Sequence, residues 1–170
     1  MFLNYIKEFF VKKTLNKNLH SIKNEVFTSK VETVGLLVDE SNFRHSKALQ
    51  KELILNGILS ENIKTVVYRD KLKKKKEYAL PTFGKKQMNW RGEFESFFLN
   101  EFIKTEFDLL INYYDVEKTT LLMVTQKSRA KFKVGFASID SRFNRWMIAV
   151  ALENYKLFIS ELFRYLRNIK

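Results

Sequence analysis

Acidic residues recur where short apolar, strand-like runs end, and carboxylates placed there could do metal-assisted chemistry. In an open α/β sheet the carboxyl ends of the strands line the ligand crevice, where several carboxylates can hold Mg²⁺ against a phosphate. An acid between a strand and a helix is also typical of a helix N-cap, which is the interpretation that we favour. The acids at these points are Asp39, Glu40, Asp70, Asp115 and Asp140.

The sequence lacks the common motifs of nucleotide and nucleophilic enzymes. The first strand-to-helix turn, VDESNFRHS (38–46), has no glycine, so it matches neither a dinucleotide-binding turn nor a P-loop. Two histidines, His20 and His45, and no cysteine make no recognisable zinc spacing. We therefore predict a non-enzymatic protein without a cofactor or a metal. The alternative is a magnesium-dependent, nucleotide- or phosphate-handling enzyme that uses the strand-end acids.

Positive charge is concentrated in two segments of the chain. The net charge is +12 over 170 residues. Residues 64–91 hold ten basic and two acidic residues, and residues 127–145 hold six basic residues and one acidic residue. These two segments account for the whole net charge, so the rest of the molecule is roughly neutral. A surface that only needs to be soluble usually alternates the two signs, whereas a field of one sign favours a polyanionic partner.

Nucleic acid is the polyanion that this composition favours. Lysine and arginine would neutralise phosphates, while the rings of Trp90 or Phe83, and also Tyr78, could stack on unpaired bases, which favours RNA over DNA. No helix-turn-helix or zinc finger is visible that could read a DNA major groove. The predicted RNA-binding residues are Arg69, Lys71, Lys73, Lys74, Lys75, Lys76, Lys85, Lys86, Trp90, Arg91, Lys127, Arg129, Lys131, Lys133, Arg142 and Arg145.

The elements that would position these residues alternate in type along the chain. Apolar runs at 33–39, 63–70, 107–115, 130–140 and 145–151 predict strands, and the first four end in acids. Helical periodicity follows at 41–58, 93–105, 117–129 and 153–170. Ser41 or Asn42 is the predicted N-cap of the first of these helices. The order predicts a three-layer, Rossmann-like α/β domain with a mostly parallel sheet of four or five strands.

The N-terminal segment predicts a basic amphipathic helix over about residues 2 to 25. We divide the chain into this N-terminal helix (1–28) and a single α/β domain (29–170) with a basic insertion at 69–94. A helix that carries Phe2, Phe9 and Phe10 among lysines could cover one face of the sheet, extend as an arm into RNA, or lie on an anionic bilayer. The interrupted apolar runs predict neither a transmembrane span nor a signal peptide.

Several strings resemble one family of proteins. They are TVGLLVDES (33–41), FDLLINYYDVEKTTLLMVTQKSRAKFKVGF (107–136) and ENYKLFISELFRYLRNIK (153–170), with the shorter motifs PTF (81–83) and W-x-G-x-F (90–94). Together they resemble a Bacteroidetes-specific family of small basic proteins with a domain of unknown function. The resemblance implies no catalytic residues. By size, charge and lineage the family is similar to the lineage-specific protein of the large subunit of flavobacterial ribosomes.

These observations predict a cytoplasmic, ribosome-bound protein. Its expected partners are ribosomal RNA and neighbouring ribosomal proteins, with no stable membrane insertion and no small-molecule substrate. The expected role is that of a structural component of the large subunit. A peripheral membrane protein is the alternative that depends on the N-terminal helix.

Overall fold

In the part of the chain that the structure describes, six strands form one sheet, which is entirely parallel. The structure is a computed structural model, and it describes residues 2–18 and 30–169. The strands are β1 (Val34–Asp39), β2 (Ile63–Tyr68), β3 (Thr82–Phe83), β4 (Leu109–Tyr113), β5 (Phe132–Phe136) and β6 (Trp146–Ile148). Their spatial order is β3-β2-β1-β4-β5-β6. This is the order of a doubly wound Rossmann sheet, whose switch point lies between β1 and β4.

Among the described residues, five α-helices cover the two faces of the sheet. They are α1 (Phe2–Asn18), α2 (Ser46–Leu55), α3 (Phe97–Lys104), α4 (Thr119–Lys127) and α5 (Tyr155–Asn168). Helices α2 and α5 contact each other on one face, and α1 and α3 both contact α4 on the other. The predicted three-layer α/β architecture is therefore confirmed. The parallel strands place all their carboxyl ends at one edge of the sheet, which we call the carboxyl edge, and all their amino ends at the opposite, amino edge.

The core is continuous across both faces because the central strands are buried on both sides. Every residue of β1 and β4 is buried, as their unbroken apolar sequences require in a parallel sheet. On the face of α2 and α5, an aromatic cluster joins the layers: the ring of Tyr113 lies within 5.1 Å, centroid to centroid, of Phe43, Phe136 and Phe158. Contacts of this kind stabilise a core beyond the area that they bury.

Helix α1 packs on the domain through one side only. Val11 and Leu15 are buried against it, and the Gln126 side chain of α4 donates a hydrogen bond to the Leu15 carbonyl oxygen. Near the start of the helix, Lys7 Nζ donates to the Lys85 carbonyl and Lys85 Nζ pairs with Glu8. The helix therefore runs from the carboxyl edge, beside Lys85, toward the amino edge, where α4 ends. None of the described helices is long and apolar enough to cross a bilayer.

Some predicted boundaries were wrong. Strand β3 lies inside the basic segment, where no strand was predicted, because two residues are too few to show a periodicity. Helix α2 starts at Ser46, and its N-cap residue His45 makes no side-chain capping bond, so the predicted cap at Ser41 or Asn42 was wrong. The last strands are shorter than the runs at 130–140 and 145–151. The predicted extension of the first helix over 19–25, His20 and the boundary at 28 lie outside the described residues.

Candidate nucleic-acid interface

A lysine ammonium occupies the centre of the carboxyl edge, where the sequence suggested a cation held by acids. Lys118 Nζ lies 2.7 Å from Asp39 Oδ2 and 2.8 Å from Asp70 Oδ2. The Asp39 carboxylate is almost fully buried, and its second oxygen accepts the Ser41 backbone N–H at 2.9 Å. Burial of Asp70 opposes its ionisation, but the bonds from Lys118 and Ser41 outweigh that effect and lower its pKa. This bridge ties β1, β2 and the turn before α4 together.

Two more of the strand-end acids, Glu40 and Asp140, are also bound by neighbouring side chains. Glu40 accepts from Arg69 and from the Ser46 hydroxyl, and Asp140 forms an ion pair with Arg142. These bonds are not helix caps, so the favoured capping interpretation was wrong for Asp39, Glu40 and Asp140. Within residues 2–18 and 30–169, no group of three or more histidine, aspartate or glutamate side chains is placed to hold a metal ion.

Residues 71–76, which we call the lysine loop, leave the carboxyl edge between β2 and β3. All five of its lysines are exposed, and none forms an ion pair with another described residue. Lys75 adopts the left-handed conformation, with φ of 61°, in a turn closed by a bond from Lys76 N to the Lys73 carbonyl. Tyr78 supports the loop because its hydroxyl accepts the Lys73 backbone N–H at 2.9 Å. The loop thus holds five unneutralised charges in a folded turn.

Residues 88–94 form a second small element, which we call the display turn. Met88 and Phe94 pair as an isolated antiparallel bridge, and Asn89 Oδ1 accepts the backbone N–H groups of Arg91 and Glu93 at 2.8 and 3.0 Å. Trp90 at the tip is 60% exposed, and the guanidinium carbon of Arg91 lies 5.1 Å from the centroid of its ring. The turn therefore presents one large flat side chain beside one cation.

Glycines allow the close packing that joins these elements. Gly92 has φ of +75°, and a Cβ there would lie 2.5 Å from the Met123 methyl group, so the display turn requires a glycine. Gly84 lies against Leu72, and a Cβ there would come within 2.9 Å of the Arg69 carbonyl. These contacts set the lysine loop next to Lys85 and Lys86, which precede the display turn. We call the lysine loop, Lys86 and the display turn together the basic edge.

Not every predicted residue of the first basic segment lies on that surface. Arg69 is half-buried and pairs with Glu40, while Lys85 pairs with Glu8 of α1. Phe83 is fully buried between the rings of Tyr68 and Phe94, so the prediction that it stacks on a base was wrong. Among the aromatic residues of the segment 69–94, Trp90 is the one with an exposed ring. The sequence could not separate it from Phe83, because both lie close to basic residues in a segment without periodicity.

The second predicted basic segment, 127–145, is divided between the two edges of the sheet and partly neutralised. Lys127 and Arg129 are exposed near the amino edge, whereas Arg142 lies in the turn after β5 and pairs with Asp140. Lys131 Nζ lies 2.8 Å from Asp108 Oδ1. Half-buried Arg145 precedes β6, its backbone N–H bonded to the carbonyl of Lys133.

Lys133, and Asp108 as the partner of Lys131, show that the middle of this segment is used in structure. Burial lowers the pKa of Lys133 to about 8, and its ammonium donates to the Thr125 carbonyl at the end of α4 at 2.7 Å. Burial opposes the ionisation of Asp108, but Lys131 and the N–H groups of Thr33 and Glu32 outweigh it and lower the pKa to about 2. The structure does not bring this segment and the basic edge together.

A cleft that sequence reasoning missed adjoins the lysine loop. It has a volume of about 430 Å³ and lies between the start of α2 and residues 78–82. Arg44, Lys47 and Arg69 line it together with Glu40 and Tyr78. Arg44 and Lys47 lie on the solvent side of a predicted helix start, so no sequence pattern distinguished them from ordinary surface residues. Lys118 was missed for a related reason, because its two partners lie far away in sequence.

Comparison with protein families accounts for nearly the whole chain. A family model matches residues 7–169, which include every element from the first turns of α1 to the end of α5. The chain belongs to a family of unknown function, DUF6913. The predicted membership of a family built on an uncharacterised domain is therefore confirmed. No curated protein and no solved structure gave a significant match.

Proposed function

We propose that this DUF6913 protein binds ribosomal RNA through the basic edge. The observation that carries the proposal is the pairing of five exposed, unneutralised lysines with a turn that presents Trp90 beside Arg91. Lysines in such a loop suit a row of phosphates, whose neutralisation supplies most of the affinity for nucleic acid. An exposed indole beside a guanidinium suits an unpaired base.

RNA is favoured over duplex DNA by the shape of this surface. The basic edge is built from turns, and none of its residues lies in one of the described α-helices, which are the elements that commonly enter a DNA major groove. Turns that combine charge with one stacking ring suit single-stranded loops and bulges, in which bases are splayed out. The folded RNA of the ribosome presents many such loops, and we extend the proposal to a structural place on the large subunit in the cytoplasm.

The magnesium-dependent alternative has less support. Its three acids are Asp39, Asp70 and Asp115, and the ammonium of Lys118 already neutralises the first two at 2.7 and 2.8 Å. A divalent ion at that position would have to displace a lysine that both carboxylates hold. The pKa of Lys118 is raised because its bonds to the two acids outweigh its own partial burial, so it stays charged at neutral pH.

Sedimentation tests the ribosome assignment directly. A native lysate is run through a sucrose gradient at low and at high salt, and the protein is followed by immunoblot. We expect it to sediment with the large subunit at low salt and to move toward the top at high salt, because phosphate contacts weaken steeply as salt rises. A protein that stays at the top of the gradient in both conditions would overturn the ribosome assignment.

A further inference from the structure

Helix α1 carries a second apolar face that the domain does not cover. Its inward side buries Val11 and Leu15 completely or nearly so. Leu3, Phe9 and Phe10 are 80%, 59% and 48% exposed. An ordinary surface helix has one apolar stripe and turns polar residues to water, so a helix that is apolar on both sides has a partner for each.

The geometry of the helix separates the two faces. At 100° per residue, Phe9 lies about 160° around the axis from Val11, and Phe10 and Leu3 lie beside each other on the flank between them. Tyr5 adds a fourth exposed apolar side chain near Phe9. The outward face is therefore a broad apolar surface on a convex helix rather than a groove, and a flat or yielding surface fits it best.

The charges on α1 identify the chemistry of that surface. Lys12, Lys13 and Lys17 are exposed among or beside the outward apolar residues. The one acid of the described helix, Glu8, is turned to the domain and bound to Lys85. The outward face is thus apolar and cationic without a compensating acid, which is the complement of an anionic lipid surface. Long lysine side chains can lay their methylene stems on the apolar region and keep the ammonium in the headgroups.

RNA fits this face less well than lipid does. Leucine and phenylalanine at the start of the helix offer no hydrogen bond, and burying several such side chains against a hydrated phosphate backbone gains little. Insertion of the same side chains into the headgroup and acyl boundary removes them from water. The inward contacts of Val11, Leu15 and Glu8 would remain in place, so docking needs no rearrangement of the domain.

We propose that the outward face of α1 docks in the plane of an anionic lipid surface, with Leu3, Tyr5, Phe9 and Phe10 in the interface and Lys12, Lys13 and Lys17 against the headgroups. This is a peripheral attachment site separate from the basic edge, and it would bring the protein and any bound RNA to a membrane. The site does not depend on RNA binding.

Vesicle flotation tests the site with a matched control. The full chain is mixed with vesicles of phosphatidylglycerol and phosphatidylcholine in equal parts, or of phosphatidylcholine alone. The test variant is Leu3→Ser, Phe9→Ser and Phe10→Ser. The control variant, Leu55→Ser, Leu59→Ser and Leu157→Ser, removes the same number of exposed apolar side chains from elsewhere on the molecule. We expect the wild type and the control to float with the anionic vesicles only, and the test variant to show a bound fraction at least about tenfold lower.

Several other outcomes would overturn the proposal. The wild type could fail to float with anionic vesicles, or the test variant could float as well as the wild type. Flotation that is abolished on changing Lys73, Lys74, Lys75 and Lys76 to Ser, but kept in the test variant, would assign lipid binding to the basic edge. A lipid-free self-association that sedimentation equilibrium detects, and that the test variant abolishes, would assign the α1 face to a second copy. The RNA affinity of the test variant is measured as well and is expected to equal that of the wild type. This measurement distinguishes a failure of the lipid site from a failure of the proposed RNA binding.

Discussion

The lysine loop and the segment 127–145 are both basic, but the folded protein uses their charges differently. In the lysine loop, five lysines project to solvent without an ion pair to another described residue. In the segment 127–145, Lys131 and Arg142 pair with Asp108 and Asp140, and Lys133 caps the carbonyls that end α4. The number of basic residues in a segment gives its formal charge. Ion pairing and burial determine how much of that charge is available to bind a partner.

The largest effect is expected from removing the lysine loop's charge. Changing Lys73, Lys74, Lys75 and Lys76 together to Ser should weaken RNA binding by about 100-fold or more at low salt, because each lysine that contacts a phosphate contributes to a steep electrostatic term. Fluorescence anisotropy with a labelled single-stranded RNA measures the change. The unfolding transition should be unaffected, since these side chains are exposed. If the quadruple variant binds RNA as tightly as the wild type, these lysines do not contact the RNA.

A smaller effect is expected from the exposed ring of the display turn. Trp90→Ala should cost about 1–3 kcal/mol of affinity for single-stranded RNA, the range found for stacking of a base on an aromatic side chain. Binding to a fully paired RNA duplex should change little. Phe97→Ala, which removes an exposed aromatic side chain from outside the basic edge, is the control. Equal reductions on single-stranded and duplex RNA would argue that Trp90 supports the turn rather than stacking on a base.

In the second segment, substitution should affect stability more than binding. Asp108→Asn removes the charge that Lys131 and the N–H groups of residues 32 and 33 stabilise. The folded pKa of Asp108 is lowered to about 2, so its contribution is present above the unfolded value near 4 and disappears as pH falls toward 2. We expect the free energy of unfolding to fall by about 1–2 kcal/mol at pH 7. The difference in the free energy of unfolding between the wild type and Asp108→Asn should shrink toward pH 2. A difference that persists at pH 2 would show that the substitution acts through the hydrogen-bond geometry and not through the lost charge.

The smallest effect is a pH dependence from the buried lysine. The folded pKa of Lys133 is lowered to about 8 from an ordinary value of 10.5, so between these values the unfolded state holds the proton more often. Stability should therefore rise with pH over that window, by about 1–2 kcal/mol between pH 7 and pH 9.5 relative to Lys133→Met. Urea denaturation of both proteins at the two pH values measures it. If the free energy of unfolding changes with pH by the same amount in both proteins, the Lys133 ammonium is in contact with water.

Patterns of apolar residues predicted most of this fold, and pairwise contacts explain what they could not predict. The strands β1, β2 and β4 are unbroken or nearly unbroken apolar runs, and such runs identify buried parallel strands without knowledge of their neighbours. β3 was missed because two residues carry no period. The Lys118 bridge joins residues 48 and 79 positions apart, and the ion pair of Lys131 with Asp108 spans 23. Ion pairs between residues so far apart in sequence cannot be recognised from the sequence, so their side chains were interpreted as unpaired.

The salt dependence of RNA binding tests the central contrast most directly. Two variants each remove two exposed charges, Lys74→Ser with Lys75→Ser in the lysine loop and Lys127→Ser with Arg129→Ser in the second segment. The slope of log affinity against log salt is measured for both and for the wild type. We expect the lysine-loop variant to flatten the slope by about 0.7 for each phosphate that is no longer neutralised, and the other variant to leave it unchanged. Equal flattening by the two variants, or flattening by the second alone, would contradict the assignment of RNA binding to the basic edge.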